Sequence, residues 1–133
     1  MGKNTKKLIT ICAVCVLLLS MAVPTALAAT DKSTATVDLG SSRMAYGGER
    51  TLYALGLTGT VQSQSANTNT IKGYMYTKGI LWTHMRDSET TSIMQSAGLS
   101  WANANGDTGK YWAQCQAEKG NHAGYCVVEH VDP

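Results

Sequence analysis

The chain has 133 residues, with 11 basic and 9 acidic side chains and a formal net charge of +2 at pH 7. This length is enough for one domain of ordinary size, and the absence of a basic block argues against nucleic acid or an anionic membrane as the main partner. The chain has no Phe but 6 Tyr, 3 Trp and 13 Gly. Such a composition favours strands separated by turns.

The first segment of the chain has the layout of a bacterial secretory signal peptide. Three lysines precede an apolar run over residues 8–19, and small residues follow at 26–29. The run is too short for the roughly 20 residues that span a bilayer as a helix. The pattern predicts a signal-peptide helix over residues 1–28, cleaved after Ala28 or Ala29. A secreted domain then remains over residues 29–133, with no stable membrane span in the mature form.

Two of the four cysteines lie inside this leader. Cys12 and Cys15 have the Cys-x-x-Cys spacing of redox and zinc sites. A peptide that is removed during export cannot hold an oriented thiolate or a metal ion. The motif therefore predicts no functional site in the mature protein.

The other two cysteines are expected to form a disulfide in an exported protein. If Gly120-Asn121 forms a two-residue type II′ turn, Cys115 lies opposite Cys126 in a C-terminal hairpin. Closing this loop of roughly 12 residues stabilises the fold by about 2–3 kcal/mol in the chain-entropy model. The alternatives are two free buried thiols, or a register that differs by one residue.

Alternation of apolar and polar residues predicts strands along the whole mature chain. Ala35 and Val37 belong to the first strand, and Met44 and Tyr46 lie in a short segment of uncertain type. The later strands are predicted over residues 50–65, 71–82, 87–95, 99–103, 110–118 and 122–131. Six or seven strands separated by turns are typical of an all-β protein. We expect a small antiparallel β-sandwich that ends in the disulfide-linked hairpin.

Residues able to carry chemistry do not form a recognisable site. The histidines are His84, His122 and His130, and none has a metal-ligand spacing with thiolates or carboxylates; His122 is expected to be solvated at the hairpin tip. Asp87 and Glu89 share a strand face, which suits solubility. No nucleophile motif is present. The sequence predicts no enzyme, no cofactor and no metal site.

The aromatic residues are the most informative feature. Tyr74 and Tyr76 share a strand face with lysines, and Trp112 alternates with glutamines. Rigid rings on a sheet surface give a large contact area for sugars or protein partners. The alternative is that the rings supply core bulk in a chain without Phe. This is the expectation for Trp82, Trp101 and Trp112 as a group, although Trp112 is also the best single candidate for an exposed contact. Tyr74, Tyr76 and Trp112 form the candidate binding surface.

These features favour a secreted bacterial domain that binds without catalysis, at the cell envelope or in the medium. Its expected partner is a cell-wall glycan or a surface protein, and the sequence does not define its oligomeric state. A small bacteriocin-like or toxin-like antimicrobial protein is the alternative, although no cationic amphipathic segment supports membrane attack. A secreted hydrolase is a further alternative, which requires a cleft with convergent polar groups.

Overall fold

The computed structural model describes residues 31–39, 43–119 and 122–131 as an all-β sandwich. The predicted leader over residues 1–28 and the predicted turn at Gly120-Asn121 lie outside the described residues. Within those ranges the chain forms nine strands: β1 (Ser33–Val37), β2 (Met44–Tyr46), β3 (Arg50–Leu52), β4 (Gly56–Ser63), β5 (Ile71–Lys78), β6 (Thr83–Thr91), β7 (Ser96–Ala102), β8 (Gly109–Ala117) and β9 (Gly124–His130). The predicted all-β sandwich is confirmed, with nine strands instead of six or seven.

The strands form two antiparallel sheets with the order β1-β9-β4-β7 and β2-β8-β5-β6, and β3 pairs with β8 beside β2. The pairs β1/β9, β2/β8, β4/β7 and β5/β6 are nested, so the first and last strands lie side by side and the middle strands pair with each other. This is the strand order of a jelly roll, which buries one face of each sheet against the other.

The core lies between the two sheets and follows the period of two along each strand. In β8, Tyr111, Ala113 and Cys115 are buried, while the residues between them are partly exposed. β5 alternates in the same way, with Ile71 and Met75 facing inward. The buried apolar set is Ala35, Val37, Leu52, Leu57, Val61, Ile71, Met75, Leu99, Tyr111, Ala113, Cys115, Ala117, Cys126 and Val128.

The predicted C-terminal hairpin is wrong, because β8 and β9 belong to different sheets. β8 pairs with β2, β3 and β5, and β9 pairs with β1 and β4. The segment after β8 therefore crosses between sheets, which alternation alone cannot distinguish from a hairpin. Cys115 and Cys126 are free, buried thiols in facing sheets. The predicted disulfide is not shown, and His122 is buried where the hairpin model expected a solvated tip.

Two loops differ from the predicted strand boundaries. The strand predicted over residues 50–65 is divided by residues 53–55, where Tyr53 and Leu55 are exposed. β5 ends at Lys78, and the predicted continuation to Trp82 is an exposed turn. Trp82 is therefore not a core residue, whereas Trp101 packs against the core. No helix among the described residues has the length and apolar character needed to cross a membrane.

Candidate ligand-binding face

The outer face of the β8–β5 pair carries a row of stacked aromatic rings. Register places Tyr76 of β5 directly beside Trp112 of β8. Their ring centroids are 5.5 Å apart with an interplanar angle of 11°. Tyr74 lies two residues before Tyr76 on the same face, with centroids 6.0 Å apart and planes at 29°. The structure thus brings together Tyr74, Tyr76 and Trp112, the three residues of the sequence-predicted surface, as one aromatic row.

Polar neighbours hold this row in place. The Tyr74 hydroxyl donates to Oε1 of Gln116 at 2.8 Å, and the Lys72 ammonium lies 5.1 Å from the centroid of the Tyr74 ring. Such a cation–ring contact is favourable even near a surface. Burial, followed by the neighbouring Tyr74 and Tyr46, raises the pKa of Tyr76. Its hydroxyl therefore remains protonated and able to donate at neutral pH.

A break in the edge strand opens a groove beside the row. β2 pairs with residues 114–116 of β8 and β3 pairs with residues 109–111, so the edge is interrupted next to Trp112. The Gly47 N–H donates to the Ala113 carbonyl at 2.8 Å, and the Ala113 N–H donates to Ser33 Oγ at 2.9 Å. A Cβ at Gly47 would overlap Ser33 Oγ. The break is therefore a built feature whose backbone groups are satisfied.

The groove has a volume of about 440 Å³, is open to solvent, and is lined by Tyr46, Gly47, Glu49, Tyr76, Thr83, Trp112 and Gln114. Tyr46 is 65% exposed and stands on the β2 side. Its hydroxyl contacts the Met44 sulfur at 2.8 Å, and Gln114 Nε2 contacts the same sulfur at 3.3 Å. These contacts fix two groups of the lining relative to each other.

This lining combines aromatic rings with a few neutral polar groups and one carboxylate. A ring-shaped polar ligand can place its apolar face on an aromatic side chain while its hydroxyls bond to amide, carboxylate and hydroxyl groups. Gln114, Glu49 and Thr83 supply those groups beside Tyr46 and Trp112. The arrangement is suited to recognition of a polyhydroxylated ligand.

A buried serine–histidine pair lies outside the groove lining. Ser63 Oγ and His122 Nε2 are 3.1 Å apart, and both residues are fully buried. Burial lowers the pKa of His122, against the opposing effect of Glu118. A substrate cannot reach the Ser63 hydroxyl in this closed arrangement. The pair therefore contributes to packing rather than to a nucleophilic site.

The remaining candidate residues are separated from one another. His84 is exposed in β6, and His130 lies between Tyr53 and Tyr111, with ring centroids 4.0 and 4.9 Å away. Asp87 accepts hydrogen bonds from the Ser88 and Ser100 backbone N–H groups, which is a structural role. Within the three described ranges, no group of three or more His, Cys, Asp or Glu could hold a metal ion.

Sequence reasoning missed the half of the groove that lies on the edge strand. Tyr46 and Glu49 lie in a segment that alternation left undefined, and Thr83 was not considered. The available signal was the pair Gly47-Gly48, which directly follows an aromatic residue and interrupts a strand. Alternation identified the aromatic row because its rings alternate with buried residues on two strands. It could not show that the two strands are neighbours.

No family model matches the chain, and no curated protein matches it. Among solved structures, the chain is similar to the crystal structure of the Yersinia pseudotuberculosis-derived mitogen. The TM-score is 0.48 at 10% sequence identity, covering 77% of this chain and 86% of that chain. At this TM-score and identity, the similarity transfers neither a fold nor a function to the present chain.

Proposed function

We infer that the chain is a secreted, non-enzymatic bacterial binding domain that recognises a glycan in the groove between Tyr46 and Trp112. The single observation that carries this inference is the groove itself, with aromatic walls and several polar groups at the same opening. A cell-wall glycan is the partner favoured by the predicted export of the domain. Binding to a surface protein is the competing possibility.

Two properties of the groove support a glycan. Tyr76 and Trp112 line the groove and are braced by ring stacking within the aromatic row, so a ligand meets rings that lose little freedom on binding. The described lining includes one carboxylate, Glu49, among neutral polar groups. Paired carboxylates at fixed separation are the usual requirement for glycoside hydrolysis. We therefore propose binding without cleavage.

The experiment is a pull-down of the mature protein with insoluble peptidoglycan and chitin, followed by titration with soluble fragments of whichever polymer binds. Tyr46→Ala removes an exposed ring from an edge strand and should weaken binding at least about tenfold, the loss typical of an aromatic anchor. Trp82→Ala is the matched control, because it removes an exposed ring outside the groove. Equal binding by wild type and Tyr46→Ala would refute the site. Failure of the wild type to bind any glycan would refute the function.

Export has a second consequence for the core cysteines, which we propose become bonded across the sheets. Cys115 pairs in register with Gly73, and the Cys126 sulfur is 2.9 Å from the point where a Cβ on Gly73 would lie. The Cys126 thiol thus approaches the one position in β5 that has no side chain, and Cys115 is the register partner of that position in β8. Burial raises the pKa of Cys115 to about 11 and that of Cys126 to about 12. As free thiols they would be protonated and unreactive at neutral pH.

Intact-mass measurement of protein from the culture medium, after denaturation and alkylation, tests both export and bonding. The expected product begins at residue 29 or 30 and takes up alkylating reagent only after reduction. Alkylation of both cysteines without reduction would refute the disulfide. A mass that still includes residues 1–28 would refute cleavage of the leader.

A further inference from the structure

The turn that joins β5 to β6 exposes three consecutive large apolar residues. Ile80 is 98% exposed, Leu81 79% and Trp82 71%. We call these three residues the apolar tip. Single exposed apolar side chains are ordinary on protein surfaces, but a consecutive run of this size usually has a function. The groove does not account for it, since Ile80, Leu81 and Trp82 are not among its lining residues.

The backbone beneath the apolar tip is already paired. Lys78 pairs with Thr83 in the β5–β6 register, and the Gly79 N–H donates to the Trp82 carbonyl at 3.0 Å. Only Ile80 and Leu81 lie beyond this last hydrogen bond. A hairpin closed in this way can enter an apolar phase with few unpaired backbone groups, which is the main obstacle for irregular chain in lipid.

The base of the hairpin is positively charged. Lys78 and Lys110 face each other in register across β5 and β8, and both are exposed. Arg86 and Asp107 lie nearby as an ion pair at 2.8 Å, so their charges largely cancel. Two lysines therefore lie side by side at the base of the apolar tip, an arrangement that suits anionic headgroups beside an inserted side chain.

The shape of the apolar tip favours a lipid surface over a protein partner. It is a narrow protrusion of two turn residues flanked by Trp82, whereas a stable protein interface covers roughly 800 Å² on each partner. A two-residue turn projects only a short way past the last paired residues, which suits the shallow depth of roughly 5–10 Å occupied by interfacial segments. Tryptophan is favoured at that depth because its ring is apolar and its N–H can remain hydrated.

We propose that the apolar tip inserts into the boundary between headgroups and acyl chains of an anionic phospholipid bilayer, with Lys78 and Lys110 at the headgroups. The site is separate from the glycan groove and does not depend on it. Insertion at this depth attaches the domain to a membrane surface and leaves the sandwich in water.

The experiment uses the mature protein and vesicles made from equal amounts of phosphatidylcholine and phosphatidylglycerol, without any glycan. The wild type should cosediment with them, and Leu81→Ser should weaken partitioning about tenfold, since it removes one large apolar group from the lipid phase. Leu39→Ser is the matched control. Leu39 is also exposed, at 67%, but follows the strand end of β1 at the other end of the sandwich. Leu39→Ser should bind like the wild type.

Insertion depth is measured by quenching of tryptophan fluorescence with brominated lipid. Trp82 should be quenched, whereas Trp101 and Trp112 should not. Trp82→Phe keeps an apolar ring and removes the fluorophore, so this variant should still sediment but should lose the quenching. Absence of sedimentation by the wild type would refute the proposal, as would equal binding by Leu81→Ser. A wild-type dimer that Leu81→Ser converts to monomer, without vesicle binding by either, would assign the tip to contact between copies instead.

Glycan pull-down of the same variants keeps the two proposals distinguishable. Leu81→Ser should bind glycan like the wild type, and Tyr46→Ala should bind vesicles like the wild type. Either site can then fail without affecting the result for the other. Loss of both activities in a single variant would indicate misfolding, which circular dichroism and thermal unfolding detect.

Discussion

Two turns at opposite ends of the sandwich expose apolar residues, Ile80 and Leu81 in one and Ile93 and Met94 in the other, but the turns differ in how they are held. At the tip end, residues 79–82 extend outward and are connected to the sheet by the base of one hairpin. At the other end, which we call the cross-linked end, the backbone of Met94 bonds to Ser65, and Thr70 bonds to Glu118. The turn at residues 79–82 is bonded within its own hairpin, whereas the turn at residues 92–95 is bonded to a neighbouring loop, as are the loops of Leu55 and Asn103 at the tip end. The exposed side chains of Ile93 and Met94 therefore belong to a fixed turn, whereas those of the apolar tip are available for a partner.

The largest expected effect on stability comes from replacing His122, which belongs to the buried Ser63–His122 pair at the cross-linked end. His122→Ala leaves a cavity and deprives Ser63 Oγ of its 3.1 Å contact. We expect a loss of about 2–4 kcal/mol in the free energy of unfolding, from the cavity together with the lost Ser63–His122 hydrogen bond, while the Ser63 hydroxyl keeps its contact with the Ser65 carbonyl. Urea denaturation measures it. His84→Ala is the control and should change stability by less than about 0.5 kcal/mol, because His84 is exposed. Equal stability of the two variants would contradict a structural role for the pair.

A smaller effect is expected from replacing residues 93–94 in one variant, and residues 80–81 in another, with the dipeptide Asn-Gly. Ile93 and Met94 have φ angles of 53° and 60°, in the left-handed region that costs a β-branched residue most. Asn-Gly at these positions suits a type I′ turn and should stabilise the fold by about 1–2 kcal/mol. Among the described residues, Ile93 and Met94 are the non-glycine residues with positive φ, so Ile80 and Leu81 are not in this conformation. Asn-Gly there should give no gain in stability while abolishing vesicle binding.

Thermal unfolding and vesicle sedimentation of the two variants separate the roles of the turns. If Asn-Gly at 93–94 also reduced vesicle binding, the contrast between the ends would be wrong. If Asn-Gly at 80–81 stabilised the protein as much as the substitution at 93–94, the tip would be a strained turn like its counterpart. Either result would require a different explanation for the exposed apolar residues.

The sequence predicted the strands well where their period of two is continuous. β5 and β8 have inward and outward residues in the expected positions, so the aromatic row Tyr74, Tyr76 and Trp112 could be proposed from alternation alone. Partner choice between strands was not predictable, because alternation assigns a face but not a neighbour. That is why Cys115 and Cys126 were placed in a hairpin instead of in facing sheets.

The groove and the apolar tip were missed for a related reason. Both arise where a strand stops, at Gly47 and at Gly79. Alternation left the segment around Gly47 undefined, and the strand predicted over residues 71–82 ran on through the three apolar residues after Gly79. Ile80, Leu81 and Trp82 therefore resemble the end of a buried strand. The net charge of the whole chain also does not predict that Lys78 and Lys110 lie side by side. Their proximity results from the pairing of β5 with β8 in the folded sheet.

The smallest expected effect is a dependence of stability on pH at the cross-linked end. Burial lowers the pKa of His122 below its ordinary value of 6.5. Burial also lowers the pKa of His130, which pairs with Leu57 at the tip end. Above pH 6.5 the folded and unfolded states both hold these rings neutral. As the pH falls below 6.5, the unfolded state binds protons that the folded state does not, so the free energy of unfolding decreases until the folded pKa is reached.

Urea denaturation over the range between 6.5 and the ordinary glutamate pKa of 4.5 isolates this effect from the titration of Glu118, whose pKa is lowered by its bonds to Thr70. His122→Gln retains an amide that can bond Ser63 and removes one titrating ring, so its stability should depend less steeply on pH than that of the wild type. His84→Gln, at an exposed position in β6, is the control. A wild-type slope in His122→Gln would show that the ring protonates as readily folded as unfolded. Ser63 and His122 would then not be closed off from water, and the contrast between a fixed turn at the cross-linked end and the apolar tip would no longer hold.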